Sequence, residues 1–134
     1  MNELVEALKK AQATSFAFYL KAHNYHWNVE GPNFAEYHEF LGDLYAEVFG
    51  AVDAIAEHCR TLDAYVPGSF SRFQELSSIE DELSVPTGRA MMAKLLADNQ
   101  RVIGDLMAAH REAEMLGKRG IVNFLEDRID AQQT

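Results

Sequence analysis

From Phe34 to Leu62 a ring, apolar or small side chain returns at alternating steps of four and three residues without a break: Phe34, His38, Leu41, Tyr45, Val48, Val52, Ile55, Cys59 and Leu62. That period puts one stripe on an α-helix, and a stripe of roughly thirty residues needs partner helices along its whole length. A strand, with its period of two, is excluded. The same spacing recurs on either side. Leu4, Leu8, Ala11, Ser15, Tyr19, Ala22 and His26 predict a first helix over about Asn2 to Asn28, with the seam above forming a second over about Asn33 to Thr61. Met92, Leu96, Asn99, Ile103, Leu106, His110 and Ala113 predict a third from Thr87 to Leu116. Ile121, Leu125 and Ile129 mark a fourth from near Arg119 to Thr134. All three prolines and five of the eight glycines lie between these stretches or within two residues of their ends, at Gly31-Pro32, Pro67-Gly68, Pro86-Thr87-Gly88, Gly117 and Gly120. They punctuate the helices, and Gly117 stops the third.

Between the second and third helices lies a polar stretch, Asp63 to Pro86, in which Ser71 to Leu76 can form a short helix. A connection of roughly twenty residues can run the length of a bundle. The expected fold is therefore all-α, a ferritin-like four-helix bundle of two close helix pairs joined by a long crossover. An up-and-down bundle with a slack loop is the alternative. The chain reads as one domain over residues 1–134, large enough for a core without disulfides. Cys59 is the sole cysteine and reads as a small buried hydrophobe, which suits a reducing, cytoplasmic setting. No apolar run suggests a membrane span or a signal peptide. With 12 Lys and Arg against 21 Asp and Glu, the net charge of -9 disfavours direct DNA binding and favours attraction of cations.

His26 and His38 each stand six residues from Pro32, so an antiparallel hairpin turning there holds both imidazoles at one height. On the second helix Asp53 and Glu57 form an i,i+4 pair, able to share a divalent cation. His38 and Asp53 are separated by roughly 22 Å of helix, so one chain cannot bring them to one metal. With Val52 set at zero, His38 falls at about 40° around the helix axis, and Asp53 and Glu57 at about 100° and 140°. Gly42, Ala46 and Gly50 lie on the same flank, and small residues so spaced let another helix approach closely. A two-fold contact there carries Asp53 and Glu57 of one chain toward His26 and His38 of another, giving a mixed nitrogen and oxygen site across a homo-oligomer interface.

Each residue also has a plainer reading. A histidine on an apolar stripe can be a hydrogen-bonded core residue, and an i,i+4 acid pair can be a solvated face. His23 is a candidate outer ligand, His58 reads as surface, and His110 as packed or hydrogen-bonded. Tyr45 and Trp27 read as core packing, with electron relay as the other possibility, and Met91 and Met92 as gap fillers.

The run His26-Trp27-Asn28-Val29-Glu30-Gly31-Pro32-Asn33-Phe34, then Tyr37-His38-Glu39, Leu44-Tyr45 and Asp53-Ala54-Ile55-Ala56-Glu57-His58, closely resembles the signature of the Dps family, the mini-ferritins. Glu75-Leu76-Ser77-Ser78-Ile79 is similar to that family's crossover. The resemblance implies a hollow dodecamer built from two-fold dimers that oxidises Fe²⁺ with hydrogen peroxide and stores ferric mineral. It matches His26 and His38 to the ligands from one subunit, Asp53 and Glu57 to those from its neighbour, and Trp27 to the aromatic beside the centre. Iron is the implied metal, with Zn²⁺ an alternative in the same site.

Three positions depart from the pattern. Gly42 stands where the family usually has a further carboxylate, which implies a weaker second metal site or recourse to Glu39, Asp43, His23 or water, and leaves open a metal-binding cage without fast turnover. Gly117-Lys118-Arg119-Gly120 replaces an acidic turn lining the family's pores, leaving Glu126, Asp127 and Asp130 as candidates for an iron path or as plain surface charge. The family's last helix usually continues through Trp-Met-Leu where this sequence reaches Thr134, which implies either weaker shell contacts or an incomplete sequence. The larger ferritins fit less well, since no Glu-x-x-His occurs.

Overall fold

The computed structural model describes residues 1–134 as five helices: α1 (Asn2–Asn28), α2 (Phe34–Thr61), α3 (Phe70–Leu76), α4 (Gly88–Met115) and α5 (Arg119–Gln133). Their ends follow from local chemistry. Gly117, at φ 68°, closes α4: its N–H bonds Glu114 and the Lys118 N–H bonds Ala113, the paired contacts that satisfy the last carbonyls of a helix. Asp63 adopts φ 62° after α2, and its N–H bonds the Arg60 carbonyl. The hydroxyls of Ser69 and Thr87 accept from the Arg72 and Ala90 amides, capping α3 and α4.

The direction of the crossover decides the topology. Gly88, which opens α4, lies so close to Tyr37 and Val29 that a Cβ there would meet the Tyr37 ring at 2.7 Å. Those residues flank the α1–α2 turn, whereas α2 ends at the other end of the bundle. Residues 62–87 therefore run the bundle's length, α2 and α4 are parallel, and the ferritin-like connection is the one adopted rather than the up-and-down one.

α1 is the central element, packed against α2, α4 and α3. Five successive residues, Ala11 to Ser15, are buried, more than one full turn of helix. Thr14, Ser78 and Asp105 tie the crossover to both helices. The Thr14 and Ser78 hydroxyls donate to Asp105 Oδ2 at 2.7 and 2.8 Å, and the Ser78 amide donates to Thr14 Oγ1 at 3.0 Å.

The apolar stripe of α4 differs from its expected position. Met91, Leu95, Asp98 and Val102 face inward in its first half, and Leu96 is 66% exposed. Two adjacent rows there are both apolar, Met91/Leu95 and Met92/Leu96, so periodicity does not choose between them. Leu96, with Phe40, lines an open apolar cleft of about 510 Å³ between α2 and α4 beside the end of α5. No helix is long and apolar enough to cross a membrane.

A second tie acts through charge. Glu82, on the crossover, accepts from Tyr25 Oη at 2.6 Å and Lys94 Nζ at 2.9 Å, and the Ser84 hydroxyl donates to it at 3.0 Å. The Tyr25 hydroxyl first, then Lys94 and Ser84, hold its carboxyl down at about 2 against an ordinary 4.5. Burial and the same carboxylate push the Tyr25 phenol up. A depressed carboxyl stabilises the fold fully above the unfolded value and loses that contribution as pH falls from 4.5 toward 2. Glu82→Gln should flatten the acid limb of the thermal-stability profile in that window and leave the neutral-pH slope unchanged.

Candidate metal centre

The α1–α2 turn, with Gly31 at φ 104°, sets the last turn of α1 beside the first turns of α2. His26 and His38 meet there. Their rings stack with centroids 3.8 Å apart and planes 20° from parallel. Each bonds the other's backbone: His26 Nδ1 lies 2.8 Å from the His38 carbonyl and His38 Nδ1 2.9 Å from the His26 carbonyl. A carbonyl only accepts, so both Nδ1 atoms carry the hydrogen, and in its neutral form each ring keeps an Nε2 lone pair to offer a cation.

Aromatic rings enclose the pair. Phe34 stacks on His38 at 4.9 Å, and Tyr45 meets His26 edge-on at 5.2 Å. His23 lies between Trp27 at 3.9 Å and Tyr45 at 3.8 Å, with the Tyr19 hydroxyl 2.9 Å from its Nδ1. Burial, and then the neighbouring His26, lower the His23 pKa, which favours the neutral ring. Trp27 is 61% exposed and so is a surface plate on His23 rather than the core residue expected, while Tyr45 is half-buried against the core. The apolar spacing of Tyr19 does not mark it as a polar partner. The i,i+4 run Tyr19-His23-Trp27 is the signal that places all three on one face.

Asp53 and Glu57 lie exposed further along α2. No three His, Cys, Asp or Glu side chains of the chain gather where they could hold a metal ion. The chain thus carries the histidine pair and the acid pair as separate groups. The small-residue flank is also divided: Gly50 is open, with nothing within 4 Å of where a Cβ would stand, whereas the face of Gly42 is occupied by His26 of the same chain. His58, expected at the surface, is partly covered and packs on Phe124 at 4.4 Å. His110 donates through Nε2 to Glu126 at 3.1 Å, so Glu126 is engaged, while Asp127 and Asp130 are exposed.

The bundle, its lengthwise crossover and the imidazole pair at the α1–α2 end define a ferritin-like protein, and residues 5–134 match the model of the ferritin-like domain family. The chain is 31% identical over 132 residues to an uncharacterised low temperature-induced protein of a Nostoc species, covering 97% of this chain and 74% of that protein. It is 29% identical to the DNA protection during starvation protein of Brevibacillus brevis, covering 98% and 88%. The crystal structure of the Dps protein of Vibrio cholerae, described as a member of the ferritin-like diiron-carboxylate superfamily, superposes with a TM-score of 0.94 at 26% identity, covering 98% and 83%. The chain belongs to the Dps family.

Proposed function

We propose that the protein stores iron in a homo-oligomeric cage and oxidises Fe²⁺ with hydrogen peroxide at centres shared between two-fold-related subunits, His26 and His38 from one and Asp53 and Glu57 from the other. The observation that carries this reading is the reciprocal bonding of His26 and His38, which leaves two level Nε2 donors with no carboxylate of their own chain beside them. Two imidazoles and two carboxylates make a donor set that suits Fe²⁺, and the acids offset its charge. Zn²⁺ fits the same donors. Two Fe²⁺ give one electron each to peroxide, whose O–O bond breaks to yield two waters on uptake of two protons, so no hydroxyl radical is released.

The cage is proposed as a dodecamer of two-fold dimers in the cytoplasm. DNA is then protected by removal of iron and peroxide, since a chain of net charge -9 repels phosphate backbones. The test is anaerobic Fe²⁺ loading followed by peroxide: ferric absorbance should rise rapidly at two irons per peroxide, and His26→Ala with Asp53→Ala should abolish it. Normal oxidation by that double variant would refute the site. Gly42, in place of a further carboxylate, favours a second reading, a metal-binding cage with slow turnover. Stoichiometric metal uptake without peroxide consumption would select it. A gel shift of DNA by the assembled protein at low salt would overturn the indirect route to protection.

A further inference from the structure

His110 and Glu114 stand four residues apart near the end of α4, and Glu126 faces the same imidazole from α5. The two ring nitrogens meet these carboxylates at different distances. Nε2 lies 3.1 Å from Glu126 Oε2, and a carboxylate can only accept, so Nε2 carries a hydrogen. Nδ1 lies 3.6 Å from Glu114 Oε2, beyond hydrogen-bond length and well beyond the contact of an imidazolium with a carboxylate, about 2.8 Å. A bound cation fits that separation better. A metal about 2.1 Å from a nitrogen and an oxygen, at tetrahedral angles, holds the two about 3.4 Å apart. We propose that His110 Nδ1 and Glu114 clamp a divalent transition-metal cation of the Zn²⁺ kind, with Glu126 as the carboxylate that orients the ring through its far nitrogen.

The surroundings suit a cation at this corner. An outer acid that holds the hydrogen on one ring nitrogen turns the lone pair of the other toward a metal, and here the outer acid comes from α5 and the inner one from α4. One nitrogen and one oxygen favour Zn²⁺ and its first-row neighbours over Ca²⁺ or Mg²⁺, which take oxygen ligands. The last turn of α4 carries Glu112 and Glu114 but no basic side chain, at the helix end whose carbonyls attract positive charge. The His110 side chain is 21% exposed and that of Glu114 59%, so the ring is held while the acid adjusts and water completes the coordination. Two protein ligands make this an exchangeable site rather than a closed structural one. The clamp uses none of His26, His38, Asp53 and Glu57, so it stands apart from the proposed iron centre.

The experiment uses the intact assembled protein and Zn²⁺ as the probe. Crystals of the wild type soaked in Zn²⁺ should give an anomalous-scattering peak between His110 Nδ1 and Glu114. In solution, competition with a chromophoric chelator is read in a His26→Ala, Asp53→Ala background, so that the proposed iron centre does not compete. There His110→Ala should lose the site, and Glu114→Gln and Glu126→Gln should each weaken it about tenfold or more. Zn²⁺ should slow amide exchange at the end of α4 in that background and leave it unchanged in Glu114→Gln. Glu112→Gln removes the same charge from the same turn and should bind as the background does. Absence of the peak, unchanged affinity in Glu114→Gln, or an equal loss in Glu112→Gln would each overturn the proposal and leave His110 as an ion-pair partner of two acids. Should His110→Ala not fold, Glu114→Gln decides, since its side chain is exposed.

Discussion

Chains carrying His26→Ala and chains carrying Asp53→Ala, each slowed about a hundredfold or more toward Fe²⁺ and peroxide, should regain about a quarter of the wild-type rate when unfolded together and reassembled in equal amounts. The figure follows from symmetry. A two-fold dimer has two centres, each built from the histidines of one chain and the acids of the other. In a mixed dimer one centre carries both lesions and the other carries neither. Half the dimers are mixed, and half of their centres are intact. Separately assembled variants mixed without unfolding should stay inactive. If the centre lay within one chain, every chain in the mixture would keep its lesion and co-assembly would restore nothing. Peroxide-driven ferric absorbance, read before and after co-assembly, separates the two arrangements.

Asp105→Ala should release the crossover. It removes the shared acceptor of Thr14 and Ser78, and Thr14 is fully buried, so its hydroxyl loses its acceptor where water cannot replace it. Two hydrogen bonds to a charged oxygen together represent about 3 kcal/mol, or about a hundredfold in the population of the opened segment. Proteolysis within residues 63–86 and exchange of the Ser78 amide should quicken by about that factor, because both report local opening. Asp105→Asn keeps an acceptor and should cost about a third as much. Wild-type cleavage and exchange rates in Asp105→Ala would show that the crossover is held by its apolar contacts, Ile79 among them, instead.

Helix number, length and order are legible because all three prolines, with Gly31, Gly68 and Gly117, fall between the periodic stretches, and Gly117 ends α4 by the left-handed geometry its residue type suggests. The height match of His26 and His38 is legible from their equal distances to Pro32. Their reciprocal bonding is not, since it depends on ring rotation. Spacing alone sets Gly42 on an outward flank, because it gives an angle around the helix but not which neighbour fills it. The inward row of α4 is ambiguous where Met91 and Leu95 run beside Met92 and Leu96. Trp27 departs from its expected burial for a related reason: a large ring at a helix end can plate another ring at the surface instead of entering the core.

The crossover ties also bear on the order in which the chain assembles. The α1–α2 hairpin and the α4–α5 hairpin close through short turns and bring together residues near in sequence. Thr14 to Ser78 and Thr14 to Asp105 span 64 and 91 positions. Closing such long loops loses more chain entropy before any contact offsets it, so the two hairpins form early and docking across α1 comes late. Until then the apolar inner faces of both hairpins stand open to solvent and to other chains. The Thr14–Ser78–Asp105 junction is thus the last latch of the subunit, and the step at which a folding chain leaves the aggregation-prone stage behind.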